Sequence, residues 1–254
     1  MSTEEVVIVV PCFNEAARLD PDAFLYFLNS VSHARICFVD DGSNDFTRCI
    51  LDDMASRGGN RIHVISHATN RGKANAVRSG MMFGYKTDAT IIGFLDADLA
   101  TPLSQVLQIT KAFANPAIRV AIGVRGSAPL RRLIQHLFAA VSSLWLNHKF
   151  EDTQCGAKFF RRDDNLQKVF ASPFLSRWLF DLEVLLRYQT MIDVEQPFVG
   201  WLAQVPLERW CERPGSHVVG MSYLHAFGEL IRLMRHYGTV NPSFQHHGQM
   251  KEDD

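Results

Sequence analysis

Apolar and polar positions alternate along this chain with two different periods. Val6–Val10, Ile36–Val39, Ile62–Ile65, Ile91–Leu95 and Val120–Gly123 are short, almost unbroken apolar runs rich in β-branched residues. Such runs suit strands covered on both faces, as in a parallel sheet. Between them, Ala16–Val31 (Leu19, Phe24, Leu25, Leu28), Phe46–Met54, Lys73–Phe83 and Leu103–Phe113 carry apolar residues at helical spacing. Ser43, Asn44 and Asp45 offer a cap to the second of these helices, and Pro102 sits at the first turn of the last. Strand–helix alternation of this kind requires right-handed crossovers. It predicts an α/β fold, a mostly parallel central sheet with helices on both faces.

The second half is less regular. Arg131–Asn147 aligns Leu133, Ile134, Leu137, Phe138, Val141, Leu144 and Trp145 on one stripe, flanked by Arg131, Arg132, His136, His148 and Lys149. Val219–Tyr237 aligns Met221, Leu224, Phe227, Ile231 and Met234 beside Arg232 and Arg235. Amphipathic helices of this kind pack on a core or lie in a membrane interface, and both readings stand. The expected organisation is a catalytic domain over residues 1–217, an amphipathic helix over 218–240 and a polar, flexible tail over 241–254.

Composition narrows the classes. With 254 residues, 47% hydrophobic and 21% charged, the chain can bury a sizeable core. A net charge of -1 gives no general attraction to nucleic acid. Five cysteines, odd in number and without C-x-x-C spacing, argue for a reducing compartment and against a disulfide or zinc framework. No signal peptide and no apolar stretch of membrane-spanning length is visible. The expected location is cytoplasmic, at most peripheral on the cytoplasmic face of a membrane.

The apolar runs end in chemistry. Pro11-Cys12-Phe13-Asn14-Glu15, Asp40-Asp41-Gly42-Ser43 and Asp96-Ala97-Asp98 each close one, and Asn70-Arg71-Gly72-Lys73 forms a glycine turn carrying a lysine. Polar groups at the carboxyl ends of parallel strands converge on one crevice, where nucleotides bind. Asp96 and Asp98 supply two hard oxygen ligands suited to Mg²⁺ or Mn²⁺ shared with a diphosphate. The carboxylates of Asp40 and Asp41 can accept from a base or ribose, and Gly72 lets Lys73 approach phosphate closely. Arg125, Arg131 and Arg132 suit a second anion. Asp152 and Asp181 are carboxylates among aromatic residues, and Glu183 reads best as a polar brace.

These motifs, in this order, resemble inverting glycosyltransferase family 2, whose fold is GT-A, the nucleotide-diphospho-sugar transferase fold. The later Asp152–Lys158 and Trp178–Glu183 segments, with Gly123-Val124-Arg125, are similar to its polyprenyl-phosphate branch, and to the glucosyl-transferring members more than the mannosyl-transferring ones. The resemblance implies transfer of a sugar, glucose favoured, from a nucleoside-diphosphate donor, UDP favoured, to a polyprenyl or dolichyl phosphate. It implies that Pro11, Phe13, Glu15, Asp41, Lys73, Asp96, Ala97, Asp98, Arg213 and Ser216 hold the nucleotide sugar. Asp98 and Asp96 would hold the metal, and Asp98, Asp152, Arg125 and Arg131 would carry catalysis. The chain departs from the family pattern at His217 for a lysine, at Ala100 where mannosyl-transferring members have glutamine, and at Ala157 for phenylalanine. Lacking the N-terminal anchor of eukaryotic members, it would meet a membrane through its amphipathic helices. Three other readings remain open. They are a soluble family member acting on a sugar or protein hydroxyl with Asp152 or Asp181 as base, a sugar nucleotidyltransferase, and a non-catalytic nucleotide-binding scaffold.

Overall fold

The structure is a computed structural model. It describes residues 4–126, 143, 145, 148–192, 198–211 and 221–238, with only the backbone of 221–227. A seven-stranded mixed sheet runs through it in the order β3-β2-β1-β4-β6-β5-β7. Its strands are β1 (Val6–Cys12), β2 (Ala34–Asp40), β3 (Ile62–Ser66), β4 (Ile91–Phe94), β5 (Val120–Val124), β6 (Lys158–Arg161) and β7 (Leu202–Pro206). The helices are α1 (Pro21–Ser30), α2 (Thr47–Gly58), α3 (Lys73–Tyr85), α4 (Ser104–Thr110), α5 (Asp164–Ala171), α6 (Phe180–Gln189) and α7 (Met221–Tyr237).

The five expected strands are all present, and in β1, β2, β4 and β5 successive residues are buried on opposite faces, whereas in the outer strand β3 only Ile62 is buried. Val7, Val9, Val39 and Ile92 pack under α3, α5 and α6, while Ile8, Val10, Phe38 and Ile91 pack under α1, α2 and α4. Burial on both faces is why these runs read as continuously apolar. The first helix begins later than its spacing suggests. Asp20 caps it, accepting from Ala23 N at 3.0 Å, and Pro21 occupies its first turn. Residues 16–18 form a turn instead.

β6 decides the geometry of the site. It pairs antiparallel to both β4 and β5, with Phe94 opposite Lys158 and Ile122 opposite Lys158. Its amino end therefore lies beside the carboxyl ends of β1, β2, β4, β5 and β7. The loops before β6 and after the parallel strands all open on one rim.

The second-half helices turn out differently from one another. Most of Arg131–Asn147, including Arg131, lies outside the described residues, as do Arg213, Ser216 and residues 241–254. Within it, Trp145 packs against the core and donates through Nε1 to Gly238 O at 2.7 Å. α7 buries Leu230 and Leu233 in the core, whereas Ile231, which the sequence pattern put on the apolar stripe, is 38% exposed. Among the described residues no helix is long and apolar enough to cross a membrane.

Candidate active site

The rim is assembled by loops that satisfy one another. Asn14, at φ 53°, turns the chain after β1; its N–H donates to Ser43 Oγ at 3.0 Å and its Oδ1 accepts from Asn44 N at 2.8 Å. Asparagine tolerates this left-handed conformation better than most residues. Glu15 N donates to Thr47 Oγ1 at 2.8 Å, and Ala16 N to Asp45 Oδ2 at 3.1 Å. The turns after β1 and β2 thus form one unit.

Asp41 lies beneath the rim rather than on its open face. It is 2% exposed, and its carboxylate accepts from Arg71 N at 3.0 Å, Gly72 N at 2.7 Å and His67 Nδ1 at 2.7 Å. His67 Nε2 reaches Ser79 Oγ at 2.9 Å. Asp40 is equally buried and holds Ser43 N at 3.1 Å. Both carboxylates were expected to face a base or ribose; in this geometry Asp40 fixes the turn after β2, and Asp41 fixes the glycine turn that opens α3. Gly72 sits there at φ 89°, a conformation costly for any residue with a Cβ.

That turn delivers Lys73, whose Nζ pairs with Asp96 Oδ1 at 2.5 Å. Packing around the amine works against its charge, yet the carboxylates of Asp96, Asp181 and Asp98 outweigh this and hold it above the ordinary lysine value. Its side chain is still 41% accessible, which leaves the cation open to solvent. The Asp96-Ala97-Asp98 turn follows β4, with Ala97 buried and both carboxylates half-buried. Asp98 Oδ1 accepts from Ala100 N at 3.0 Å, and Leu99 is forced to φ 53°. A non-glycine residue held there stores roughly 1–2 kcal/mol of strain, of the kind that collects at functional sites.

Glu15 faces the same carboxylates. Its Oε1 pairs with Arg18 at 2.5 Å, while its Oε2 is buried without any partner. Burial raises its pKa, Arg18 pulls it part of the way back, and Asp98 and Asp96 push it up again. A buried, unsatisfied carboxylate oxygen calls for a donor from outside the chain.

On the far side of the rim, Arg125 follows β5 and grips Asp152 with Nε at 2.6 Å and Nη2 at 2.9 Å. Burial alone would lower the guanidinium's pKa, but the Asp152 carboxylate more than offsets it. Asp181 is 6% exposed at the start of α6 and pairs with Lys158, fully buried in β6, at 2.8 Å. Lys158 Nζ also donates to Cys155 O at 2.6 Å. Both candidate bases are therefore clamped by cations. Glu183, read as a brace, is one: it accepts from Leu175 N, Ser176 N, Arg187 and Tyr237 Oη.

Two residues that shape the surroundings of the rim escape sequence reasoning. Gly156 lies directly under Asp96, and a Cβ there would collide with the carboxylate. Glu229 of α7 reaches across to the turn before α6. The first is visible only as a glycine inside a quoted motif, and the second carries no local signal. A separate recess of about 730 Å³ at the opposite sheet edge, between Arg119, Asp163, Lys168 and Trp201, has no part in this rim. Its Asp163 is already engaged, capping α5 and accepting from Tyr188 Oη at 2.7 Å.

The residues fit a divalent cation. Asp96 and Asp98 present hard oxygens at an accessible edge beside the lysine that would meet a diphosphate. Among the described residues no third His, Cys, Asp or Glu completes a protein cage. That matches Mg²⁺ and its relatives, which fill their coordination with substrate phosphate and water.

Residues 7–170 match the model of glycosyl transferase family 2. The chain belongs to that family. It is a glycosyltransferase with the GT-A fold, as the strand order and rim suggest. It is 32% identical over 221 residues to a dolichyl-phosphate beta-glucosyltransferase of Drosophila melanogaster, covering 78% of this chain and 67% of that protein. It is 27% identical over 261 residues to one of Homo sapiens, covering 93% and 77%. Among solved structures it is similar to glucosyl-3-phosphoglycerate synthase of Mycobacterium tuberculosis in complex with Mn²⁺, UDP-glucose and phosphoglyceric acid. There the TM-score is 0.67 at 17% identity, over 92% of this chain and 80% of that one.

Proposed function

We infer that this glycosyltransferase moves glucose from UDP-glucose to the phosphate of a polyprenyl lipid of the dolichyl type, inverting the anomeric centre. The observation that carries the reading is the convergence of Lys73, the Asp96/Asp98 pair and the unsatisfied Glu15 oxygen on one rim. Relatives named dolichyl-phosphate beta-glucosyltransferase, alignable over most of their length, supply the acceptor class.

In this reading Pro11, Phe13 and Glu15 receive the base and ribose, with Glu15 Oε2 accepting from a nucleotide donor group. Asp41 acts through the turn it holds, and Lys73 meets the diphosphate. Asp96 and Asp98, with Ala97 keeping them on a tight turn, would hold Mg²⁺ or Mn²⁺. Such an ion neutralises charge on a departing nucleoside diphosphate. Arg213 and Ser216 would close over the donor, and Arg131 would grip the acceptor. Arg125, locked to Asp152, presents a fixed positive edge toward the second phosphate. A phosphate monoester is already largely dianionic at neutral pH, so it needs orientation and screening more than a base. The clamping of Asp152 and Asp181 by cations favours this acceptor over a hydroxyl, which would need one of them free. Catalytic contact with lipid would make the protein peripheral on the cytoplasmic membrane face, with residues 1–217 as the catalytic unit.

The test is transfer from radiolabelled UDP-glucose and GDP-mannose, with Mn²⁺, to vesicle-borne polyprenyl phosphate. Label from UDP-glucose should partition into organic solvent. Label that stays in water, or appears only from GDP-mannose, would remove this reading.

A further inference from the structure

The turn between α5 and α6 has no role in the reaction as described, yet it is held more firmly than most loops. Five consecutive backbone N–H groups converge on two carboxylates. Leu175 and Ser176 donate to Glu183 at 3.1 and 2.9 Å, while Arg177, Trp178 and Leu179 donate to Glu229 at 3.2, 2.9 and 3.3 Å. The Ser176 hydroxyl adds a bond to Glu229 at 2.5 Å. Ser176 and Leu179 are buried, so the backbone turns Arg177 and Trp178 outward.

The Arg177 side chain faces the donor turn. The Arg177 guanidinium lies over the bare Cα of Gly72, where a Cβ would be 3.2 Å from Nη2. The next residue is Lys73. Lys73 and Arg125 are both ion-paired, but among the described residues no carboxylate pairs with Arg177. Trp178 is 45% exposed beside it. A cation without a counter-ion next to an open indole suits a phosphate at the end of an apolar chain. The donor's phosphates already have Lys73.

We propose that Arg177 binds the acceptor phosphate and Trp178 the first part of its apolar chain, with Glu229 of α7 as the positioning residue for both. This rests on the acceptor reading given above. The C-terminal helix is then part of acceptor recognition through one carboxylate, not merely a cover for the core.

Steady-state kinetics on the full chain test it, with UDP-glucose as donor and two acceptors, vesicle-borne polyprenyl phosphate and water-soluble 3-phosphoglycerate. Arg177→Ala should raise KM for the lipid phosphate about 10- to 100-fold, the range expected for a charge-assisted contact, with UDP-glucose KM within about twofold. Arg177→Lys should recover part of the loss. Trp178→Ala should raise KM for the lipid only, and Trp178→Phe should restore it. Glu229→Ala should reproduce the lipid KM defect with kcat nearly unchanged. Glu229→Gln, which keeps one acceptor oxygen for these amides, should be milder and guards against a folding failure. An Arg177→Ala defect larger in UDP-glucose than in lipid, or a Trp178→Ala defect equal for both acceptors, overturns the proposal. Normal lipid KM in Glu229→Gln and Glu229→Ala overturns the positioning role. If the unmodified enzyme itself ignores polyprenyl phosphate, the acceptor reading falls, and this proposal falls with it.

Discussion

At the scale of single residues, the site is a balance of charges that do not tolerate movement. Asp98→Ala should cut transfer by about 100- to 1,000-fold, the usual loss when one preorganised electrostatic group is removed. Its half-exposed position predicts a melting temperature within about 2 °C of the parent. Near-normal turnover of that variant would remove its metal role. Gly156→Ala should be nearly as damaging to activity, because the new methyl displaces the Asp96 carboxylate and so disturbs Lys73. Circular dichroism should show its fold unchanged. Glu15 supplies a pH signature. Its carboxyl is raised above 4.5, so the folded state keeps the proton to higher pH than the unfolded chain. Its ionisation therefore costs stability as pH rises from 4.5 through the folded value, and acidification relieves that cost. Donor binding has the opposite sign, since the ionised carboxylate is the stronger acceptor: kcat/KM for UDP-glucose should fall as pH drops through the raised value. Glu15→Gln keeps an acceptor and should flatten that limb; an unchanged profile would count against the contact. Rim residues such as Asp96 and Asp98 were legible because they end an apolar run abruptly, and Lys73 because it follows a glycine turn. Gly156 and Glu229 were not, since their partners are distant in sequence.

Elements were legible where burial is one-sided or where a strand is short and uniformly apolar. β1, β2 and β4 satisfied the second condition, and α3 and α4 the first. α6 satisfied neither: Phe180 to Leu186 are all buried, including Asp181 and Glu183, so no stripe exists to be read. β6 hid its strand character behind Lys158, a fully buried lysine in a four-residue segment. β7 is an edge strand of half-exposed residues, which leaves little apolar pattern. The Lys158–Asp181 pair joins β6 to α6 under the rim. Lys158→Met should destabilise by about 3–5 kcal/mol because it strands a buried carboxylate. The double change Lys158→Met with Asp181→Leu should recover much of that stability without recovering turnover. Chemical denaturation alongside the transfer assay would separate the two effects.

For the molecule as a whole, the sheet divides two cores, and α7 closes one of them with Leu230 and Leu233. Removing residues 221–254 should therefore lower the melting temperature as well as abolish activity, since it opens that core and frees the turn held by Glu229. Chelation with EDTA should stop transfer while leaving the melting temperature of the ligand-free protein almost unchanged, because the two aspartates alone form no structural cage. Full activity in EDTA would contradict the fit of Asp96 and Asp98 to a cation.

One reversed strand also has an evolutionary consequence. Since β6 runs against its neighbours, the loop before it meets the turns after β1, β2 and β4 at one rim, so that Gly156 and Arg177 come up against Asp96 and Gly72. In the reading above, the earlier stretch, up to Ala100, holds most of the donor and the later one, from Arg125, most of the recipient. A graft of the later stretch from a relative should bring a new recipient to an old donor floor.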